Sequence, residues 1–306
     1  KARSDCAGCR RVSAVDKRAL DQFEPERRRL LGLAYRMLSS YAEAEDVVQD
    51  AFVRFQAVDQ ESVLDARSYL TTIVARLCFD RMKSARARRE AYVGTWLPEP
   101  LVDPESRAAD VQLELADDLS YALLMTLERL SPPERTTFLL HDVFGMEFEE
   151  ISGLLERSSA ACRKLAERAR EQVQAGRPRF RSAPEEEMRL FHAFTMASAT
   201  GDMEALTKLL AEDAVMYQDA GGKRHAALNP IYGRERIVRF TLRVQRKDNY
   251  KRPIAIIPCR VNQLQGCVMQ YADGDLAVGA FEAQNGVITR IYIVNNPDKL
   301  RHLRPG

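Results

Sequence analysis

The chain of 306 residues has little cysteine, little histidine and almost no tryptophan: six, four and one. Cysteines scattered at 6, 9, 78, 162, 259 and 267 are too sparse for a disulfide scaffold and suit a reducing compartment, so a cytoplasmic location is expected. Cys6-x-x-Cys9 is half of a zinc pattern with no second half nearby, so neither a metal site nor a cofactor is expected. Runs of about 18 apolar residues are missing, which excludes a membrane-spanning helix and any membrane partner of that kind. No basic-then-apolar leader is read at the start of the sequence, which begins at Lys1. Fifteen Gly and 13 Pro, widely scattered, exclude low complexity, and there is no internal repeat.

What is present is charge of both signs, 46 Lys+Arg against 44 Asp+Glu, in a chain that is 45% hydrophobic. At about 150 residues per domain, the length implies two or three compact units. A net charge of +2 argues against a nucleic-acid partner until it is divided along the chain. Residues 1–94 carry 18 basic and 14 acidic side chains, 95–182 carry 11 and 16, and 183–306 carry 17 and 14. The clusters inside these segments matter more than the totals.

Residues 1–13 read as a tail and 14–93 as a helical domain. Ala44, Val47, Val48, Ala51, Phe52 and Phe55 form the apolar stripe of an amphipathic helix, and Leu30, Leu31, Ala34 and Leu38 do so in the helix before it. Leu70, Ile73, Val74 and Leu77 continue the pattern. Residues 94–109 form a linker whose three prolines exclude helix, yet Trp96, Leu97, Leu101 and Val102 make it apolar enough to lie against something. Residues 110–176 return to helix, with Ser131, Pro132 and Glu134 as a helix start. A basic connector spans 177–184. Residues 185–306 mix short helices with β-rich runs at 253–261, 266–272, 275–282 and 286–294, parted by Asp273-Gly274 and Asn285-Gly286. A strand at 214–218 and a helix at 233–244 complete an α+β domain with an antiparallel meander.

Three constellations carry chemistry. Residues 149–155, 156–158 and 159–170 read as helix, turn and helix, with Arg163, Lys164 and Arg168 facing outward and Ala161, Leu165 and Ala169 inward. Such a helix suits a DNA major groove, and the same pattern suits a solvated basic helix in a bundle. Asp46, Gln49 and Asp50 share an exposed helix face opposite the stripe. The helix dipole accounts for acids near its start, whereas Asp50 a turn later fits a protein-binding face. Arg76, Asp80, Arg81 and Lys83, with Arg86, Arg88 and Arg89, form a basic tract interleaved with Tyr69, Phe79 and Tyr92. That mixture suits single-stranded nucleic acid, or equally a charged solvent face.

In this order the segments resemble the extracytoplasmic-function (ECF) sigma factors of bacteria. Ala44-Glu-Asp-Val-Val-Gln-Asp-Ala-Phe52 is similar to the family's polymerase-gripping region. Ser68–Arg81 resembles the part of region 2 that melts and reads the −10 element. Leu130-Ser-Pro-Pro-Glu-Arg135, Glu149-Glu-Ile151 and Ala160-Ala-Cys-Arg163 resemble region 4, which reads the −35 element. Trp96-Leu-Pro-Glu-Pro100, Asp219-Ala-Gly-Gly-Lys223 and Asn296-Pro-Asp-Lys-Leu300 resemble signatures of the SigJ-type subgroup, whose SnoaL-like extension is thought to replace a separate anti-sigma protein.

The resemblance implies a multi-domain fold: two all-α domains (sigma region 2 and the region 4 helix–turn–helix), then a C-terminal α+β, cone-like SnoaL/NTF2-like domain. It implies core RNA polymerase and promoter DNA as partners. Asp46, Gln49 and Asp50 would then meet polymerase; Arg76, Asp80, Arg81 and Lys83 the −10 strand; Arg163, Lys164 and Arg168 the −35 groove. Trp96, Pro98, Asp219, Gly221, Gly222, Lys223, Asn296, Pro297 and Asp298 would form regulatory interdomain contacts. Two residues depart from the family pattern. Ala220 replaces a Gly, which strains the loop if φ there is positive, and Glu156 replaces the turn Gly, which implies a looser turn.

The expected function is an alternative sigma factor, not an enzyme, modulated by its own extension. The rival is a ligand-sensing or enzymatic SnoaL-like module with a DNA-binding output. His192, Asp202 and Met216 facing an open cavity would favour that rival; His225, Asp213 and Asp219 are further candidate acid–base groups. The fold leaves room for a small-molecule ligand in either case. A one-component repressor would need a palindromic dimer site, against which the acidic face and the single-strand tract argue.

Overall fold

Leu30, Leu31, Ala34 and Leu38 lie on one face of α1 (Lys17–Leu38), and all four are buried. The chain turns at Ser39, which takes the left-handed conformation, and Ser40 caps α2 (Tyr41–Gln56) by accepting from the Glu43 amide at 3.2 Å. Ala44, Val47, Val48, Ala51 and Phe55 of that helix are buried, as are Leu70 and Val74 of α3 (Ala66–Glu90). Each large side chain sealed in this way stabilises the fold by about 1.5–3 kcal/mol. The structure, a computed structural model, describes residues 17–59, 61–103, 120–176, 183–248 and 250–303. The expectations for the tail with Cys6 and Cys9, for residues 104–119, for most of the basic connector and for the side chains at 85–90 lie outside the described residues.

The second helical segment contributes α4 (Tyr121–Leu127), α5 (Pro132–Phe138), α6 (Phe148–Leu155) and α7 (Ser159–Gly176). The Ser131 amide donates to Glu134 Oε2 at 3.0 Å in the expected capping box, and α5 widens into a π turn at Leu139–Val143. Between α6 and α7 the turn is tight despite the missing glycine, because Glu156 itself adopts φ 54°, ψ 48°. Since that conformation is costly for a side chain, Glu156→Gly is expected to stabilise the protein by about 0.5–1 kcal/mol. The check is the midpoint of chemical unfolding. Both helical segments close on one continuous apolar core, in which Leu33, Val47 and Leu70 join Leu124, Leu139 and Ile151.

Beyond these lie α8 (Pro184–Thr200), α9 (Met203–Leu209), β2 (Leu210–Asp219), β3 (Ile231–Tyr232) and α10 (Arg234–Gln245). The meander follows as β4 (Ala255–Val261), β5 (Leu264–Gln270), β6 (Leu276–Gln284) and β7 (Val287–Val294), and a 3₁₀ turn at Pro297–Leu303 follows β7. With β1 (Val102–Asp103) at one edge, the sheet order is β1-β4-β5-β6-β7-β2-β3. Two features go beyond the sequence pattern. β2 pairs parallel to β7, and the edge strand β1 (Val102–Asp103) comes from the linker, antiparallel to β4.

Strand alternation gives the sheet two faces with different partners. Cys267, Phe281 and Ile291 face α8 and α10, whereas Val278, Tyr292 and Val294 pack with Leu97 of the linker and Tyr121 of α4. Asn285 and Gly286 form the expected hairpin turn, both at positive φ. Asn262 and Gln263 make a second such turn between β4 and β5 without any glycine.

Candidate functional site

The three segments expected to meet between domains converge on Asp219, which is 0% exposed. Its carboxylate accepts from the Leu97 amide at 2.8 Å, from Tyr92 Oη and from the Gly221 amide at 3.2 Å, and it pairs with Lys299 Nζ at 2.7 Å. Lys299 also lies 3.8 Å from the Trp96 ring centroid and donates to the Leu97 carbonyl. Asn296 donates from Nδ2 to Tyr92 Oη at 2.8 Å, and its amide donates to the Asp219 carbonyl at 3.0 Å. Lys223 pairs with Asp298, and the hydrogen bond from Lys223 holds the Asp298 carboxyl below its ordinary range. Pro297 opens the 3₁₀ turn. Burial and the facing Asp219 carboxylate push the Tyr92 phenol up, so it stays a neutral donor.

Glycine is required twice here. A Cβ on Gly221 would sit 2.4 Å from Asn296 Nδ2, and Gly221 and Gly222 both have positive φ. Ala220 is not among the residues at positive φ, so its methyl causes none of the strain that a left-handed position would impose.

Several residues of this junction carried no local signal. Buried Asn262 accepts from the Leu101 amide at 2.9 Å and donates to Tyr35 Oη at 3.2 Å, while its carbonyl accepts from the Tyr121 amide at 3.2 Å. Tyr35 Oη donates to the Glu99 carbonyl at 2.6 Å, and Tyr121 Oη donates to the Pro98 carbonyl at 2.9 Å. Glu99 accepts from Ser40 Oγ at 2.8 Å and the Tyr41 amide at 2.9 Å, and it lies 3.0 Å from His302 Nδ1. Arg135, 2% exposed, reaches from α5 into the first helical segment. It donates to the Arg36 carbonyl at 2.9 Å, to Ser39 Oγ and to Glu128.

On the outer surfaces, Asp46, Gln49 and Asp50 are exposed along α2 as expected. Arg81, expected at the −10 strand, lies between the two carboxylates, 3.7 Å from Asp46 and 3.0 Å from Asp50, so the two expected surfaces abut. Arg76, Asp80 and Lys83 are exposed, and Lys83 lies 3.6 Å from Asp80. The aromatic expectation changes. Phe79 is buried and Tyr92 is committed to Asp219, which leaves Tyr69 as the exposed ring of the three.

On α7, Arg163 and Lys164 are exposed, and Ser158 caps the helix through the Ala161 amide. Arg163 pairs with Glu149 at 3.2 Å. Arg168 is tied to the α5 capping box through Glu134 at 2.9 Å. Burial acts on Glu134, but hydrogen bonds from Ser131 and Arg168 outweigh it and hold that carboxyl down. Leu165 and Ala169 face the core, as do Cys162 and Ala166, with Ala161 half-buried.

The rival's acid–base candidates do not converge. His192, Asp213 and His225 are exposed, Asp202 caps α9 through the Ala205 amide, and Met216 is buried in the core. Among the described residues, no cluster of His, Cys, Asp or Glu is placed to hold a metal, and no helix is long and apolar enough to cross a membrane.

Two family models match the chain: Sigma-70 region 2 over residues 22–88 and Sigma-70, region 4 over residues 120–173. The chain is 34% identical to the ECF RNA polymerase sigma factor SigJ of Mycobacterium tuberculosis, covering 92% of each protein. It is 31% identical to the probable ECF RNA polymerase sigma factor SigI of the same organism, over 90% of this chain and 92% of the relative. The crystal structure of M. tuberculosis SigJ superposes with a TM-score of 0.73 at 31% identity, covering 92% of this chain and 98% of that one.

Proposed function

The chain belongs to the extracytoplasmic-function sigma factors, and from that premise we propose how its surfaces share the work of an alternative sigma factor. Asp46, Gln49 and Asp50 engage basic groups of core RNA polymerase, displacing Arg81 toward the −10 strand. Arg76, Asp80, Arg81 and Lys83 line that strand, with Tyr69 as the ring available for stacking. Charge complementarity at the acidic face chiefly sets the rate and register of assembly. Neutralising both carboxylates (Asp46→Asn with Asp50→Asn) therefore weakens binding to core polymerase. Unchanged affinity in a holoenzyme titration contradicts the assignment.

Arg163 and Lys164, near the start of α7, enter the −35 groove; Arg168 supports them from its tie to Glu134. Arg163→Ala is expected to cost about 1–3 kcal/mol in promoter binding and to relax specificity at one position. If instead binding falls equally on every sequence, Arg163 is a phosphate contact.

The same arrangement restrains the protein. Elements at −10 and −35 lie 25 base pairs apart by their positions, about 85 Å along straight DNA at about 3.4 Å per pair. A compact unit the size of the two helical segments is about 40 Å across, with a radius of gyration of about 15 Å. Two reading surfaces closed on one core cannot bridge that span, so the free chain is autoinhibited and opens on holoenzyme assembly. The observation that carries this reading is the buried Asp219 junction. It fixes the linker between the reading segments against the C-terminal domain, while β1 and Asn262 fix the linker's far end. Run-off transcription with junction variants tests it: variants that release the linker transcribe more than the intact chain.

In this reading the chain is not an enzyme. The acid–base candidates of the C-terminal domain are scattered, and its Asp219 is occupied by structural partners.

A further inference from the structure

The C-terminal domain holds a cavity, open at one side, of about 310 Å³, at the small end of the roughly 300–1,000 Å³ usual for small-molecule sites. Its walls come from α8, from the inner face of β5–β7 and from the segment between α10 and β4. Space exists there partly because β6 carries glycine at 279. A Cβ at Gly279 would make ordinary contacts with Met269 Cε at 3.5 Å and Cys267 Sγ at 3.7 Å, both on the cavity wall, so a larger side chain would grow into the void.

The lining has a consistent chemistry. Phe191, Phe194, Phe281, Tyr250 and Tyr271 make it aromatic. Ser198 on α8 also lines it, and its hydroxyl is buried without a hydrogen-bond partner. A helical serine commonly bonds back to the carbonyl four residues earlier, and a buried hydroxyl without a partner costs about 1–3 kcal/mol. Exposed Arg252 stands at the mouth, and among the described residues no carboxylate or imidazole belongs to the lining. Burial pushes the Cys267 thiol up to about 11, so the cavity presents neither an acid–base pair nor a nucleophile near neutral pH. This is a site for holding a molecule rather than transforming one.

We propose that this cavity binds a small aromatic anion: a flat apolar body between the phenylalanine and tyrosine rings, an acceptor atom on Ser198 and a carboxylate or similar group toward Arg252. Its position gives such a ligand a route to the rest of the protein. Strands β5–β7, which carry the cavity face, carry on their other face the residues that pack against Leu97 and Tyr121.

The test is calorimetric titration of the full chain with 2-naphthoate, and with 2-naphthylmethylammonium as its cationic counterpart. Saturable one-to-one binding of the naphthoate, with none of the cation, is expected. Gly279→Leu fills the cavity and Ala199→Trp, at an exposed wall position, blocks its mouth; each should abolish binding. Ser198→Ala should weaken it by about tenfold, the ordinary worth of one hydrogen bond. If Gly279→Leu does not fold, Ala199→Trp alone decides. No saturable binding, equal binding of the cation, or undiminished binding in Ala199→Trp overturns the proposal.

Discussion

Replacing Asp219 by alanine is expected to cost about 3–5 kcal/mol of stability and to free the linker. The carboxylate is fully buried and is shared by Tyr92, the Leu97 amide, the Gly221 amide and Lys299. Removing one partner of a buried pair is costly because the other charge stays behind, and Lys299 is only 13% exposed. The Leu97 carbonyl and the cation–π contact with the Trp96 ring stay with it, and neither carries a compensating charge. Asp219→Asn keeps an acceptor without the charge and should lose less. Limited proteolysis separates this from general unfolding. Early cleavage between residues 93 and 103, while the β7–β2 ladder still resists hydrogen exchange, is the expected pattern. Simultaneous loss of both means that Asp219 supports the C-terminal domain as a whole and does not act as a linker clasp.

Arg135→Ala is the second large effect, also about 3–5 kcal/mol. The guanidinium is nearly inaccessible; it joins α5 to the α1–α2 corner through the Arg36 carbonyl and Ser39 Oγ, and it pairs with Glu128 at the end of α4. Truncation leaves the Glu128 carboxylate without its guanidinium in a mostly buried setting. Exchanging both charges together, Arg135→Met with Glu128→Leu, should recover most of the loss, because apolar groups of similar volume often replace a buried ion pair without penalty. Chemical unfolding of the two single variants and the double variant gives the coupling directly. A double variant no better than the sum of the singles means that the pair is not coupled. Because the bonds from Arg135 to the Arg36 carbonyl and Ser39 Oγ join the two reading segments, Arg135→Ala should also engage core polymerase more readily per folded molecule.

Much of this architecture is legible in the sequence because it depends on nearby residues. The stripes at 30–38, 44–55 and 70–77, the Ser131–Glu134 capping box and the Asn285-Gly286 turn each follow from a few consecutive side chains. The helix–turn–helix lies where its pattern puts it, and Glu156 shows that a left-handed turn persists without glycine when flanking helices impose it. What escapes is long-range. Tyr35 and Asn262 meet across 227 residues, and nothing local in either segment announces the other. The β1 strand exists only because β4 offers an edge to an apolar linker. Parallel pairing of β2 with β7 is equally silent, since alternation tells which side chains share a face but not which way the neighbour runs. Two aromatics of the basic tract depart from its pattern for the same reason. Phe79 and Tyr92 suit stacking by type, yet packing takes one into the core and a carboxylate 127 residues away takes the other.

On the proposed function, the C-terminal domain holds the linker so that the two reading segments stay closed. The measurement that tests it most directly is run-off transcription with core polymerase on a promoter selected from a randomised −35/−10 library. It compares the full chain with a chain ending at Asn295. That cut keeps β7 and the sheet but removes Asn296, Lys299 and His302, the partners of Tyr92, Asp219 and Glu99. More transcript from the shortened chain at equal holoenzyme concentration is the result expected. Equal or lower output from a folded shortened chain would contradict the clasp.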